Sequence, residues 1–332
     1  MNNTGHVKED KKIFSGIGIA FLVCFIVIVI ARAVLIVLAK NIIPAEKYES
    51  MKLTINMIVS VISQYILAYS VLLIMLSRIK AEKPVPKNVG ADGILKAFIC
   101  SMPTAFFGNL LGKYLSALLS SGKAENHISD IVGSMNPFVI FMTVVLAPVF
   151  EELIFRKFIM DRISQYGEFA AILFSSLCFA VFHMNLYQFF YTFGFGVVLG
   201  YLYVRTGRIL FAIITHSLFN LNGSVISVWA VGQLDKDKYK TFIEGGGRDH
   251  KLLEEILPGL AVYMSYLLVY IGLVAAGIVI IIKVINSKPA FEKREKELPK
   301  GTTAAVMLCN PGMIAFLVVS AAVTLLPVLF AA

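Results

Sequence analysis

Charge is what this chain has least of. Only 15% of its 332 residues are Asp, Glu, Lys or Arg, where a soluble domain carries about a quarter. Against that, 58% are hydrophobic and the mean hydropathy is +0.80. The length would accommodate two soluble domains, but no polar block is long enough to be one. Cysteine is scarce as well: Cys24, Cys100, Cys178 and Cys309 lie in apolar runs without a CxxC spacing. That argues against a disulfide framework or a structural zinc site and for buried packing. No internal repeat and no low-complexity tract occurs. The net charge of +9 reads as a Lys/Arg excess in cytoplasmic loops rather than as a nucleic-acid surface, so no nucleic-acid partner is expected.

What the chain has in quantity is apolar runs of spanning length, which is about 20 residues. Nine segments qualify: 14–39, 53–76, 94–119, 137–155, 169–183, 187–204, 209–231, 260–285 and 304–330, the fifth being short. The expected fold is therefore all-α, a polytopic transmembrane helix bundle of eight or nine spans. Arg32 sits inside the first run, where it could snorkel, pair with an acid or mark an early helix end. The basic start (Lys8, Lys11, Lys12) precedes an apolar run too long for a signal peptide, and no small-residue cleavage site follows. That run reads as a retained first span.

Basic residues set the orientation. With the N-terminus inside, inner loops hold Arg78, Lys80, Lys83, Lys87, Arg156, Lys157, Arg162, Arg205, Arg208, Lys288, Lys293, Arg294, Lys296 and Lys300. Outer loops hold fewer, namely Lys40, Lys47, Lys52, Lys123 and an acid-diluted set in 230–257, where Gly245, Gly246 and Gly247 form a flexible connector. An N-in, C-out protein of a bacterial plasma membrane is expected. Segment 286–302 reads as a solvated basic linker within reach of anionic headgroups. On the sixth run, Gly196 and Gly200, with Gly194 nearby, suit close approach of a neighbouring helix.

Ionisable residues inside apolar segments are expensive and mark function. The stretch 146–156 (LAPVFEELIFR) begins as a span and then places Glu151 and Glu152 side by side; His183 and His216 occupy two further runs. Glu151 lies sixteen residues before Gly167 and His183 sixteen after it. A helical hairpin turning at Gly167 puts both at a matching depth, roughly 24 Å from the turn. The charges Arg156, Lys157, Asp161, Arg162 and Glu168 suit a tip projecting into the cytoplasm. A second turn is expected at Thr206, Gly207 and Arg208, with His216 roughly 13 Å beyond it along a helix. A shared depth for the two histidines then requires the first turn to protrude roughly 10 Å further than the second. Glu152 and Arg156 form an i,i+4 pair, leaving Glu151 rotated about 100° away and free to face a cavity. Phe179 with His183 and His216 with Asn220 repeat the i,i+4 spacing.

These groups allow more than one chemistry. A carboxylate with a histidine can deprotonate a water, and a histidine with an asparagine can donate to an oxyanion. Alternatively, Glu151, His183 and His216 could hold Zn²⁺ and leave a fourth position for water. There is no HExxH, no GxSG and no GxGD, and Ser217 directly follows His216 without facing it.

In order and spacing, Glu151-Glu152-xxx-Arg156, Phe179-xxx-His183 and His216-xxx-Asn220 resemble the three motifs of the CAAX-protease and bacteriocin-processing (CPBP, or Abi) enzymes. These are intramembrane endopeptidases that include the prenyl-protein endopeptidase. The resemblance covers about 70 residues, from Glu151 to Asn220. It implies that Glu151 activates water with His183, that His216 and Asn220 stabilise the oxyanion, and that Glu152 and Arg156 shape the site. It allows a metal-free or a Zn²⁺ mechanism. The implied substrate is a membrane-embedded or membrane-associated peptide, such as a prenylated C-terminus or a bacteriocin or pheromone leader. The chain then divides into N-terminal transmembrane helices (1–135), a catalytic core (136–232), and an outer loop with C-terminal helices (233–332), the cavity opening toward the cytoplasm.

Plainer readings compete. A single membrane histidine often hydrogen-bonds between helices, and Glu152 with Arg156 can be a structural ion pair. His6, His127 and His250 lie in polar stretches and read as solvated. The aromatic run Tyr187, Phe189, Phe190, Tyr191 and Phe193 reads as lining lipid or the interface, with a peptide groove as the alternative. The rival function is a non-enzymatic immunity or transport protein that uses Glu151, His183 and His216 as an ion path. Such a path would need groups beyond Asn185 and Gln188.

Overall fold

An apolar chain in hydrocarbon must satisfy its backbone internally, which a run of 20 residues does only as a helix. The computed structural model follows that rule. It describes residues 3–82, 90–126, 131–291, 294, 296–298 and 301–331, with side chains from residue 8 onward, and no strand occurs among them. His6, Lys83, Lys87, His127, Lys293 and Lys300 lie outside these described side chains.

The helices are α1 (Asn3–Ile42), α2 (Ala45–Ser50), α3 (Lys52–Ser77), α4 (Asp92–Leu119), α5 (Pro137–Tyr166) and α6 (Glu168–Phe182). After these come α7 (Leu186–Thr206), α8 (Ile209–Gly232), α9 (Lys236–Glu244), α10 (His250–Asn286), α11 (Thr303–Leu308) and α12 (Pro311–Phe330). Among the described residues, seven are long and apolar enough to cross a membrane: α1, α3, α4, α5, α8, α10 and α12. The protein is an integral membrane helix bundle. All nine anticipated runs are helical, but α6 has only 15 residues and α7 falls outside the seven. The last run is broken: Asn310 Oδ1 caps Met313 N at 3.0 Å, with Pro311 opening α12. Arg32 does not end α1; its guanidinium donates to Ser60 Oγ of α3 at 3.0 Å.

Both turns fall where the glycines require them. Gly167 has φ 106° and Gly207 φ 62°, values open to glycine without a Cβ penalty. The tip at Gly167 does not project freely, however. Asp161, Arg162 and Glu168 are buried. Arg162 Nε donates to the Leu76 carbonyl, Ser164 Oγ to that of Glu82, and Tyr166 Oη to Asp10 at 2.8 Å. Charges there are paired inside protein, Lys157 with Asp161 at 2.9 Å and Arg294 with Glu168 at 4.0 Å. Burial of a charge is tolerated only with such partners. The 286–302 linker is correspondingly docked in part: Phe291 packs on Phe169, and Leu298 is buried.

Around the centre, α7 lies between α4 and α6, and small residues set the spacing. A Cβ at Gly196 would meet Ser176 at 3.0 Å, one at Gly200 would meet Ile172 at 3.2 Å, and one at Gly194 would meet Thr104 at 2.9 Å. The glycines on α7 thus serve two opposite neighbours. Gly196→Leu is expected to destabilise by about 1–3 kcal/mol through overpacking. Gly272→Ala, which meets nothing within 4 Å, should be neutral or slightly stabilising. The thermal midpoint of the purified protein in detergent measures both.

Candidate active site

The site is carried by α5, α6, α7 and α8, and it begins with a helix that departs from α geometry. In α5, residues Met142–Leu146 and Leu153–Met160 are π-wound, on either side of the two glutamates. The Ala147 N–H bonds to the Met142 carbonyl, five residues back. The Thr143 carbonyl would then look to residue 148, which is Pro148 and has no N–H. Its partner comes from α8: Asn220 Nδ2 donates to Thr143 O at 2.7 Å. A proline inside a membrane helix is accommodated in this way, by a neighbour's side chain. The same bond fixes the Asn220 carboxamide and leaves its second N–H free of that contact.

Glu152 is fully buried. Its Oε2 lies 3.0 Å from Arg156 Nε, the i,i+4 pair anticipated from spacing, and its Oε1 lies 2.8 Å from His216 Nδ1. Arg156 is also fully buried; Nη2 donates to the Gly196 carbonyl at 3.4 Å, and the guanidinium sits 4.9 Å from the Phe179 ring centre. A carboxylate held by Arg156 accepts from His216, so Nδ1 of that ring carries a proton and Nε2 points away from Glu152. There it meets Glu151, with Oε2 at 3.7 Å. Glu151 is 14% exposed and lines a cavity.

His183 is the residue just past the end of α6, where the last carbonyls lack intrahelical partners. Its Nδ1 lies 2.7 Å from the Phe179 carbonyl. A carbonyl only accepts, so Nδ1 is the protonated nitrogen and Nε2 is left available. Both imidazoles pack edge-on against Phe179, with centroids 4.7 Å (His183) and 5.9 Å (His216) away. Phe195 closes the other side of His216 at 5.0 Å.

All of Glu151, His183, His216 and Asn220 line one cavity of about 540 Å³, within the range of small-ligand pockets. Glu152 and Arg156 lie behind its wall. The cavity runs from Glu151 past Tyr187, Gln188 and Tyr191 to Asn126 and Val132, in the segment joining α4 to α5. That end is opposite the Gly167 and Gly207 turns, so the cavity does not open on the face of the hairpin tips. The reason is the shortness of α6, which brings His183 to the far turn. Tyr187 and Tyr191 face this cavity rather than lipid, and Tyr187 Oη donates to the Ala124 carbonyl at 2.8 Å.

Several of these roles have no local signal. Phe179 was legible only as a partner of His183, whereas it also carries the Arg156 guanidinium and touches His216. Phe195 carries no local signal for the site, and Pro148 within a glutamate-bearing span is the one mark that could have pointed to Thr143; Tyr187 and Tyr191 belong to the aromatic run whose alternative reading is a peptide groove.

The Zn²⁺ alternative can be tested on the donors. Both rings turn Nε2 away from the group that holds Nδ1, the orientation a metal ligand would need. Yet no three His, Cys, Asp or Glu side chains among the described residues are grouped closely enough to hold a metal ion. No step is therefore routed through a metal.

Residues 133–222 match the family described as type II CAAX prenyl endopeptidase, Rce1-like. That segment is similar to the family's model. It contains every side chain of the constellation, from Glu151 to Asn220. The chain is also similar to a Bacillus subtilis (strain 168) protein named "Putative membrane peptidase YdiL", with 32% identity over 94 residues. That match covers 28% of this chain and 38% of the relative, so the similarity spans well under half the relative's length. No solved structure matches the chain at comparable stringency.

The ion pair supplies a stability test of this geometry. Arg156→Ala leaves the Glu152 carboxylate buried without its guanidinium and is expected to cost about 3–5 kcal/mol. Replacing both residues by Leu should cost less than the single change, because no unpaired charge remains. Unfolding midpoints of the three proteins decide it.

Proposed function

We propose that the protein is an intramembrane endopeptidase that hydrolyses a peptide bond of a membrane-associated peptide. Regions 1–135 and 233–332 frame a catalytic core at 136–232. The observation that carries the reading is the convergence of Glu151, His183, His216 and Asn220 on one cavity within the CAAX-protease-type segment.

Hydrogen-bond geometry assigns the roles. Glu152 and Arg156 neutralise each other. His216 is held at Nδ1 by Glu152, and its Nε2 lies 3.7 Å from Glu151 at the cavity; the reading requires this nitrogen to carry a proton as well. The Nε2–H of His216 is thus a donor directed into the cavity. His183 donates its Nδ1–H to the Phe179 carbonyl, and the reading gives its Nε2 to water as the acceptor.

A water hydrogen-bonded by Glu151 and His183 attacks the scissile carbonyl carbon, and its proton passes to Glu151. The carbonyl oxygen becomes an oxyanion that receives hydrogen bonds from His216 Nε2–H and the second Asn220 Nδ2–H. Glu151 then gives its proton to the leaving nitrogen as the C–N bond breaks. Glu152 and Arg156 hold His216 in place and touch no reacting atom. Substrate enters from the end bearing Asn126 and Tyr187. With the N-terminus cytoplasmic, as the basic residues indicate, that is the extracytoplasmic end.

The ion-path alternative meets an obstacle. Beneath the cavity, toward the Gly167 turn, the paired Glu152 and Arg156 are fully buried and occupy the wall that an ion path would have to cross. A packed wall there suits a reaction chamber, and liposomes containing the protein are expected to show no proton flux.

Glu151→Gln is expected to lower cleavage by about 10²–10⁴-fold, the usual share of a general base, without moving the unfolding midpoint. Asn220→Ala should lower it by about 10²–10³-fold, as loss of one oxyanion donor does. Comparing membrane peptides by mass spectrometry between wild type and Glu151→Gln reveals the substrate; identical peptide sets would overturn the reading. Activity should survive chelators. Loss that Zn²⁺ alone restores would replace the water-carboxylate route with a metal one.

A further inference from the structure

A second cavity, of about 750 Å³, lies further along α4, α7 and α10, toward the other end of the bundle. Its walls are apolar, built by Ala97 of α4, Val197 and Val198 of α7, and Ile281 and Val284 of α10. At its end, where the Gly207 turn and the basic loops lie, stands Arg205. Its guanidinium rests between the Tyr201 ring at 4.9 Å and the Phe291 ring at 5.5 Å. Its Nε and Nη2 are buried and have no hydrogen-bond partner among the described residues.

The contrast with other cations at this end is informative. Lys96, on the same cavity, is paired with Asp92 at 2.6 Å, Lys157 with Asp161, and Arg162 bonds two carbonyls. Arg205 has aromatic faces and a helix C-terminus, which favour a cation, but no anion among the described residues. Its two unused donors, Nε and Nη2, lie on the same edge of the guanidinium, the edge that binds a phosphate through two parallel bonds. An apolar trough ending in such an edge, at the membrane face rich in Lys and Arg, matches one kind of molecule in shape and charge.

We infer that this cavity binds an anionic phospholipid, its phosphate on Arg205 Nε and Nη2 and an acyl chain along the groove between α4, α7 and α10. The site is separate from the proposed catalytic cavity and independent of the peptidase reading. The lipid spans three helices that frame the site and holds the 286–302 linker through Phe291.

The test uses the full-length protein in neutral detergent, titrated with phosphatidylglycerol, phosphatidylcholine or inorganic phosphate, with the thermal midpoint and native mass spectrometry as readouts. Phosphatidylglycerol should raise the midpoint and remain bound, while phosphatidylcholine and inorganic phosphate should do neither. Arg205→Gln should weaken phosphatidylglycerol binding by about tenfold or more, the loss of a charged hydrogen bond. Glu151→Gln should leave it unchanged. Should Arg205→Gln fail to fold, Val198→Trp, which fills the groove with Arg205 intact, should abolish the same preference. Equal shifts with phosphatidylcholine, a shift from phosphate alone, or an undiminished preference in the substituted proteins would overturn the inference.

Discussion

The structure depends on one buried carboxylate. Glu152 is removed from water completely, and an ionised side chain in that position is tolerated only if both oxygens are met by strong donors. Arg156 meets one and His216 the other. Through them the ion reaches four helices: α5 by its own backbone, α8 through His216, α7 through the Gly196 carbonyl, and α6 through the Phe179 ring. Shifting any of these helices by an ångström would strip a partner from a charge, so the ion acts as a position lock. Glu151 needs no such protection because it faces the cavity. Its orientation follows from its neighbour's, one step around the same helix.

Backbone geometry and side-chain chemistry are coupled at Pro148. A proline deletes one donor, the helix around it loosens into a π turn, and the orphaned Thr143 carbonyl is taken by Asn220. The carboxamide that can serve an oxyanion is therefore held in place by a defect in the opposite helix. His183 is held by a related device, a free carbonyl at a helix end. His183 at the end of α6 and Asn220 on α8 are thus aimed by backbone carbonyls that regular helices would have consumed. Regular packing supplies the frame, through the close glycine contacts of α7, and irregular backbone supplies the aim.

Much of this was readable from spacing. The apolar runs, the turns at Gly167 and Gly207, the Glu152–Arg156 pair and the freedom of Glu151 all follow from helix periodicity and glycine stereochemistry, which are local. The glycines on α7 were readable as contact points, though not that Gly194 and Gly196 serve different neighbours. Contacts between distant segments were not readable. Burial of Asp161, Arg162 and Glu168 depends on α1, the α3 end and the 286–302 linker folding over the tip. A charged cluster reads as solvated until those partners are known. Phe179 could be paired by period with His183, but its contacts with Arg156 and His216 come from other helices. The aromatic run on α7 has two faces, and only the fold says that Tyr187 and Tyr191 turn inward.

The direction in which the cavity opens follows from a length. Fifteen helical residues in α6 rise about 22 Å, short of a bilayer core of about 30 Å. His183 therefore sits at a turn while still inside the depth of its longer neighbours. That turn, Met184 and Asn185, faces away from Gly167, so the constellation is reached from the far end and sealed below by Arg156. The basic residues gather at the sealed end, around Arg162, Arg205, Arg208 and Arg294. Two asymmetries, one of charge and one of access, thus point in opposite directions along the bundle. On the proposed peptidase reading, with the basic end at the cytoplasm, a peptide reaching Glu151 arrives from the other end of the bundle. That condition narrows the substrate more than the proposed catalytic groups do, because those groups recognise only a peptide bond.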